Sequence, residues 1–215
     1  MLWTDPPYGV GYVGKTRAAL RIQNDDHVGI AELLAVAFEA IDGVLASGAA
    51  IYIAHPAGPA QATFVQAFLA RGWILRQSLV WVKDALVIGH ADYHYRHEPI
   101  LYGHTRAGRW GRGAAGWYGG NAESSVLEIP RPRSSREHPT AKPVELVRRC
   151  VANSSAPGDV VLDPFLGSGS TLIACEQLGR RLFAVELDPA YADVAVSRWE
   201  AFTGRKATRQ KSHDG

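Results

Sequence analysis

At 215 residues, with 47% hydrophobic side chains and a formal net charge of +2, the chain is long enough for one domain with a sizeable core and too apolar for a disordered one. No apolar run reaches membrane-spanning length, since the longest, Val44 to Ala54, is broken by Ser47 and Gly48, and the first residues lack the basic-then-apolar pattern of a signal peptide. Cys150 and Cys175, each in a helical pattern and neither in a CxxC pair, read as buried free thiols rather than a disulfide or a zinc site, which fits a reducing, cytoplasmic setting.

In chain order, Leu2 to Thr4 predicts the end of a strand, and Gly9 to Asp26 a loop of glycine, polar and charged residues. Asn24-Asp25-Asp26 supply caps for a helix from about Gly29 to Ala46, with Ile30, Leu33, Leu34, Ala37, Ile41 and Leu45 on one face. Ala49 to Ala54 is a short strand-type run, Pro59 to Arg71 a helix closed by Gly72, Leu75 to Lys83 an alternating strand rich in Val and Trp, and Pro99 to Tyr102 another short strand. From Gly103 to Arg136 glycines crowd together among arginines and aromatic rings. Regular pattern resumes with a helix over Pro143 to Asn153, a strand over Asp159 to Leu162, a helix over Gly169 to Leu178, a strand over Leu182 to Val185 and a helix over Pro189 to Phe202. Alternating strands and helices predict an α/β domain with a mostly parallel sheet, and the apolar runs near Val160 and Val185 predict strands buried on both faces. The single domain is expected to span residues 1–204, with a polar, basic, frayed tail over 205–215.

Two strands end in the same way. The first runs into Asp5-Pro6-Pro7-Tyr8-Gly9, and the later one into Asp163-Pro164-Phe165 followed by Gly167-Ser168-Gly169-Ser170-Thr171 and a helix. Glycines let backbone N–H groups approach a ligand, and a helix N-terminus favours an anion. A nucleoside-triphosphate loop needs a lysine where Ser170 stands, and a dinucleotide loop needs a third glycine where Leu172 stands. An adenosine-type cofactor without a pyrophosphate remains. Glu186, in Glu186-Leu187-Asp188 at the tip of the next strand, stands where ribose hydroxyls are gripped in such folds; a capping or solvated acid is the other reading of that residue.

Asp163-Pro164-Phe165-Leu166-Gly167-Ser168-Gly169-Ser170-Thr171 resembles the S-adenosylmethionine loop of the amino-methylating DNA methyltransferases, and Asp5-Pro6-Pro7-Tyr8 resembles their catalytic motif. His138-Pro139-Thr140-Ala141-Lys142-Pro143 is similar to the segment that precedes their cofactor loop. Catalytic motif first and cofactor loop last is the order of the permuted beta class. The resemblance implies a Rossmann-like, S-adenosylmethionine-dependent methyltransferase fold: seven strands, mostly parallel with one antiparallel, and helices on both faces. It implies S-adenosylmethionine as cofactor, with His138, Thr140 and Lys142 near it, and double-stranded DNA as partner. Family members carry more residues ahead of this motif, so the chain is expected to be a fragment, or a short form that borrows structure.

The chemistry such a family performs suits the opening corner. The exocyclic amine of adenine or cytosine is a poor nucleophile, because its lone pair is delocalised into the ring. Two acceptors aimed at its two N–H bonds, the Asp5 carboxylate and the Pro6 carbonyl, would free that lone pair; the two prolines fix the backbone beforehand. Tyr8 would stack on a base extruded from the duplex. Neither a covalent intermediate nor a metal is needed. Adenine N6 is the expected target, since the cytosine enzymes more often begin the motif with Ser. Taken alone, the motif also reads as a strand-ending turn in which Asp5 caps backbone N–H groups and Tyr8 packs inward.

Residues 103–137 occupy the place of the family's target-recognition region. Arg106, Arg109, Arg112, Arg131, Arg133 and Arg136 suit phosphates, and Trp110, Trp117, Tyr118 and Asn121 suit base edges or an emptied stack. The region is short, which predicts a short target or a second subunit, a homodimer. Lys15, Arg17 and Arg21 read equally as strand contacts or as a solvated face. His90, His94 and His97 have a spacing compatible with a metal, but they fall in a stretch that resembles the family's link into a late strand, and no metal is expected. Methylation of RNA or of a protein amide, and a non-catalytic DNA- or cofactor-binding module, are the competing readings; Asp5 in place of Asn argues against the amide enzymes.

Overall fold

The structure, a computed structural model, describes residues 1–9, 29–88, 92–106, 116–132 and 141–210. Its elements are β1 (Leu2–Thr4), α1 (Ile30–Asp42), β2 (Ala50–Ala54), α2 (Gln61–Ala70), β3 (Ile74–Val87), β4 (Tyr95–His104), β5 (Val126–Glu128), α3 (Val144–Ser154), β6 (Val160–Asp163), α4 (Ser170–Leu178), β7 (Arg181–Ala184) and α5 (Pro189–Thr203). The strands form one sheet in the order β5-β3-β4-β2-β1-β6-β7. β4 runs antiparallel to both of its neighbours, and every other pairing is parallel. The expected sheet with one reversed strand is therefore what forms.

The order of strands places the site. Leu2 of β1 lies opposite Ile51 of β2 on one side and Leu162 of β6 on the other. From β1 the chain proceeds outward through β2, and from β6 it proceeds outward the other way through β7. The reversal of strand order thus falls between β1 and β6, where open α/β sheets hold their ligands beyond the carboxyl ends of the strands. The two acid–proline corners leave the sheet side by side at that point.

Alternation along the strands splits the core between two faces. Trp3, Tyr52, Ala54, Trp81 and Val161 pack against Leu146, Val147, Cys150 and Val151 of α3 and Ala174 and Cys175 of α4. Leu2, Ile51, Ile53 and Leu101 pack on the other face against Ile30, Leu34, Phe38 and Ile41 of α1 and Phe64 and Phe68 of α2. The 3.6-residue spacing of the α1 set is what lets it cover the sheet. α1 stops at Asp42, short of the expected Ala46: Gly43 follows, and the Asp42 carboxylate accepts the Trp73 indole N–H at 2.5 Å. β3 and β4 extend beyond their expected ends because they pair with each other along most of their length. β5 is an element the sequence pattern does not predict; it is three residues long with only Leu127 buried, too short to show a periodicity.

The strands near Val160 and Val185 are not buried on both faces. β7 is the sheet's edge, and the cluster under α1 and α2 reaches only as far as Leu162 of β6. Phe183 is consequently 53% exposed, Val185 60% and Leu187 66%. Both cysteines are free and buried, and burial pushes the Cys175 thiol up to about 12. The expected frayed tail begins by folding back: Arg205 pairs with Glu176, and Lys206 reaches Glu200 at 2.7 Å. No helix among the described residues is long and apolar enough to cross a membrane.

Candidate active site

Asp5 follows directly on the last residue of β1. Its Oδ2 accepts the Lys142 ammonium at 2.7 Å, while its Oδ1 is buried and has no hydrogen-bond partner among the described residues. Tyr8, three residues on, donates its hydroxyl to Glu98 Oε2 at 3.1 Å and sets its ring edge-on to Phe64. The Lys142 nitrogen lies 5.0 Å from the centre of that ring. Glu98, at the inward turn of β4, also takes Lys83 on Oε1 at 2.6 Å and Lys142 on Oε2 at 3.0 Å. Two carboxylates and two ammoniums thus share one pocket with a phenol.

Burial alone would raise both acids. For Glu98 the two ammoniums outweigh it and take the carboxyl down to about 2. Asp5 stays above the usual carboxylate range, because burial, with the nearby Glu98 adding to it, outweighs the lowering by Lys142 and Tyr8. Desolvation opposes the charge on Lys142, yet the two carboxylates more than offset it and hold the group protonated.

The second corner is built from β6. Asp163 is 2% exposed and fully engaged: Oδ1 accepts the Thr4 hydroxyl at 3.2 Å and the Phe165 N–H at 3.2 Å, and Oδ2 accepts the Thr171 hydroxyl at 2.6 Å. Asp163 and Thr171, both expected to touch the cofactor, are bonded to each other and brace the turn. Gly167 and Gly169 both hold positive φ, +54° and +83°, which a side chain would resist. A Cβ on Gly169 would stand 3.0 Å from that of Ala195 in α5, so this glycine serves close packing. A Cβ on Gly167 would meet nothing within 4 Å, so open space adjoins the loop there. Glu186, just past β7, accepts the Gly167 N–H at 2.7 Å and the Asp188 N–H at 2.9 Å, which aims its carboxylate at the glycine turn. Asp188 caps α5 through the Ala190 N–H. Ser168 is buried, with its carbonyl taken by Arg198; Pro164 and Phe165 are half-buried, and Leu187 faces solvent.

Lys142 joins the corners. Its ammonium holds Asp5, and its carbonyl accepts the Ser170 hydroxyl at 2.7 Å at the start of α4. The Thr4–Asp163 bond makes a second tie. Lys142 is expected near the cofactor; its side chain lies on the Asp5 carboxylate. His138 and Thr140 lie outside the described residues.

Sequence reasoning misses Glu98, Lys83 and His55. Two of them carry a signal. Glu98-Pro99 repeats the acid–proline pairing of Asp5-Pro6 and Asp163-Pro164, and His55-Pro56 ends β2 beside it. Lys83 carries none, being one lysine in an alternating strand. The His55 ring is buried against Phe64, and its Nε2 has no partner among the described residues. Burial lowers its pKa.

Of the described residues expected to contact DNA, Arg106, Trp117, Tyr118 and Asn121 lie away from this pocket. β4 runs backward and delivers the chain to the opposite end of the sheet. There Arg106 bonds the Gly72 carbonyl, Tyr118 bonds the Asn153 carbonyl, and Trp117 and Asn121 line a cleft of about 660 Å³ with Tyr52 and Tyr102. Arg131 alone of the described set returns with β5 to the pocket's end, beside Asp84 of β3. Arg109, Trp110, Arg112, Arg133 and Arg136 lie outside the described residues, as do Lys15, Arg17, Arg21 and His90. His94 and His97 are exposed, and no group of three metal-ligating side chains forms among the described residues.

Comparison with known proteins adds to this geometry. The model of the N6/N4 DNA methylase family matches residues 114–197. The type II methyltransferase M.Cfr9I of Citrobacter freundii is 33% identical over 134 residues, 59% of this chain and 45% of that protein. The chain thus spans about half the length of the curated relatives it matches. TTHA0409 of Thermus thermophilus, solved with S-adenosyl-L-methionine, superposes with a TM-score of 0.70 at 24% identity, over 99% of this chain and 90% of its own. The cytosine-N4-specific PvuII DNA methyltransferase superposes with a TM-score of 0.70 at 14% identity, over 92% of this chain and 78% of its own.

Proposed function

We propose that this chain, which belongs to the amino-methylating (N6/N4) DNA methyltransferases, transfers a methyl group from S-adenosylmethionine to the exocyclic amino group of a base in double-stranded DNA, adenine N6 before cytosine N4. The observation that carries this reading is the Asp5 carboxylate: one oxygen is held by Lys142, and the other is buried without a partner among the described residues, next to a glycine turn that has open space beside it. A buried acceptor without a donor is costly unless something arrives to fill it.

The residues of the second corner fit the cofactor. Gly167, Ser168 and Gly169 provide the turn, and Glu186, already fixed by two backbone N–H groups, suits ribose hydroxyls. When bound, S-adenosylmethionine supplies a methyl group on a positively charged sulfur, an electrophile. The protein's own part is to prepare the amine. Asp5 Oδ1 accepts one amine N–H and the Pro6 carbonyl accepts the other, which frees the nitrogen lone pair. The base is extruded from the duplex, and Tyr8 lies against its ring. Lys142 and Glu98 hold Asp5 and Tyr8 in place before the base arrives. After transfer, one proton passes from the amine nitrogen to Asp5 Oδ1.

Asp5 at the head of the motif favours adenine. Arg131, together with Arg109, Arg112, Arg133 and Arg136, is proposed to grip phosphates, with a short target sequence or a second subunit completing recognition. The test is methyl transfer from labelled S-adenosylmethionine to duplex DNA, with the modified base identified by mass spectrometry. N6-methyladenine is expected, and Asp5→Ala should lose turnover while S-adenosylmethionine still binds. Near-normal turnover by that variant removes Asp5 from the mechanism; label in RNA or protein but not DNA overturns the substrate.

A further inference from the structure

We propose that Glu98 is a positioning residue for the catalytic carboxylate: it holds Lys142 from the far side, divides that ammonium between two acids, and so sets how much positive charge falls on Asp5. The kinetic part of this inference rests on the function proposed above; the electrostatic part does not.

Three segments converge on Glu98. Lys83 reaches Oε1 from β3 at 2.6 Å, Lys142 reaches Oε2 from the segment ahead of α3 at 3.0 Å, and Tyr8 reaches Oε2 from the loop after β1 at 3.1 Å. Both lysines are buried. Glu98 thereby fixes both neighbours of Asp5: Lys142, which holds its carboxylate, and Tyr8, whose ring is proposed to lie against the base. An ammonium given wholly to Asp5 would neutralise it and weaken it as an acceptor for an amine. A counter-carboxylate on the other side of the same ammonium relieves that. It also serves the later step. When Asp5 Oδ1 gains the amine's proton and its charge is cancelled, Lys142 keeps its three protons and remains paired with Glu98, so no buried ammonium is left alone.

The charged and titratable groups that face Asp5 are Lys142 ahead of α3, Glu98 of β4 with Lys83 of β3 paired to it, Tyr8 on its own segment and Asp163 at the end of β6, with His55, just past β2, interacting with Glu98. Substitutions among them push Asp5 in opposite directions. Glu98→Gln removes a negative charge and leaves Lys142 to Asp5, which makes Asp5 harder to protonate. Lys142→Met removes the positive charge and makes it easier. Lys83→Met leaves Glu98 to Lys142 alone, draws the ammonium away from Asp5, and also makes it easier.

The experiment follows the Asp5 carboxyl carbon by NMR in protein labelled at aspartate, with its signal assigned by its loss in Asp5→Asn. It needs no DNA. A downward displacement of about one pH unit, a tenfold change in proton affinity, is expected for Glu98→Gln, and upward displacements for Lys142→Met and Lys83→Met. Glu98→Asp, which keeps the charge, should titrate near the wild type. An Asp5 titration that is unmoved in Glu98→Gln, or moved the same way as in Lys142→Met, overturns the proposal; should Glu98→Gln not fold, a Lys83→Met titration that fails to rise does the same. The acid limb of methyl transfer should follow the same displacements. A wild-type protein that transfers no methyl group refutes the proposed function and leaves the NMR titration to judge Glu98.

Discussion

Replacing Asp163 by Asn should change how stability depends on pH, by an amount that follows from its surroundings. The carboxyl sits beneath the glycine turn, 2% exposed, with three hydrogen bonds and no cation on it among the described residues. Burial dominates and pushes it from an ordinary 3.8 up to about 7, while its bonds to Thr171, Phe165 and Thr4 offset part of that and the nearby Asp5 adds to it. Because the folded value lies above the unfolded one, the folded chain binds the proton more tightly. The associated stability is fully present below about pH 4 and is lost as the pH rises towards 7. Roughly three pH units correspond to about 4 kcal/mol at most, lost at no more than about 1.4 kcal/mol per pH unit. Asn keeps the shape and cannot ionise, and the Thr171 hydroxyl can turn to accept from its amide. Urea unfolding of both proteins across this range, compared at each pH, isolates the effect from His55 and His104, whose values burial lowers in both. The variant should gain on the wild type steadily with rising pH. Stability curves that run parallel from about pH 4 to about pH 7 would refute the assignment of a buried, cation-free acid.

Thr171→Val leaves Asp163 Oδ2 without its hydroxyl donor and should cost about 1–3 kcal/mol, more at neutral than at acid pH, by the same urea titration. Gly169→Ala forces a side chain into positive φ against Ala195 and should lower stability by about 1–3 kcal/mol while weakening S-adenosylmethionine binding in calorimetry. Leu34→Ala empties a fully buried position under α1 and should lower unfolding free energy by about 2–5 kcal/mol. Phe183→Lys, on the exposed edge strand, should change unfolding free energy in urea by less than about 0.5 kcal/mol.

The two corners are legible in the sequence because each pairs an acid with a proline at the end of an apolar run, a local pattern. So are the α1, α3 and α5 helices, whose faces repeat at helical spacing. What is not legible depends on distant partners. Lys83 looks like an ordinary strand residue, and Glu98 is marked only by its Glu-Pro pairing, until β3 and β4 pair and bring the two together beside Asp5. Lys142 cannot be assigned to one corner or the other from sequence, because its side chain serves one and its carbonyl the other. Apolar residues at β7 read as buried because hydrophobicity marks the capacity for burial, while an edge position decides whether it is used. Arg106 and Arg131, grouped by composition, are among the described residues set at opposite ends of the sheet by a reversed strand.

That reversed strand divides labour along the molecule. His104 ends β4 at the floor of the sheet, and the chain from Thr105 to Ser125 must leave from there and come back up through β5 before it can reach the roof, where the chemistry is. Lengthening or rewriting this stretch disturbs neither Asp5 nor the glycine turn, because both are anchored by the central strands. On the function proposed above, a scaffold wired this way can change what it reads without retuning what it does.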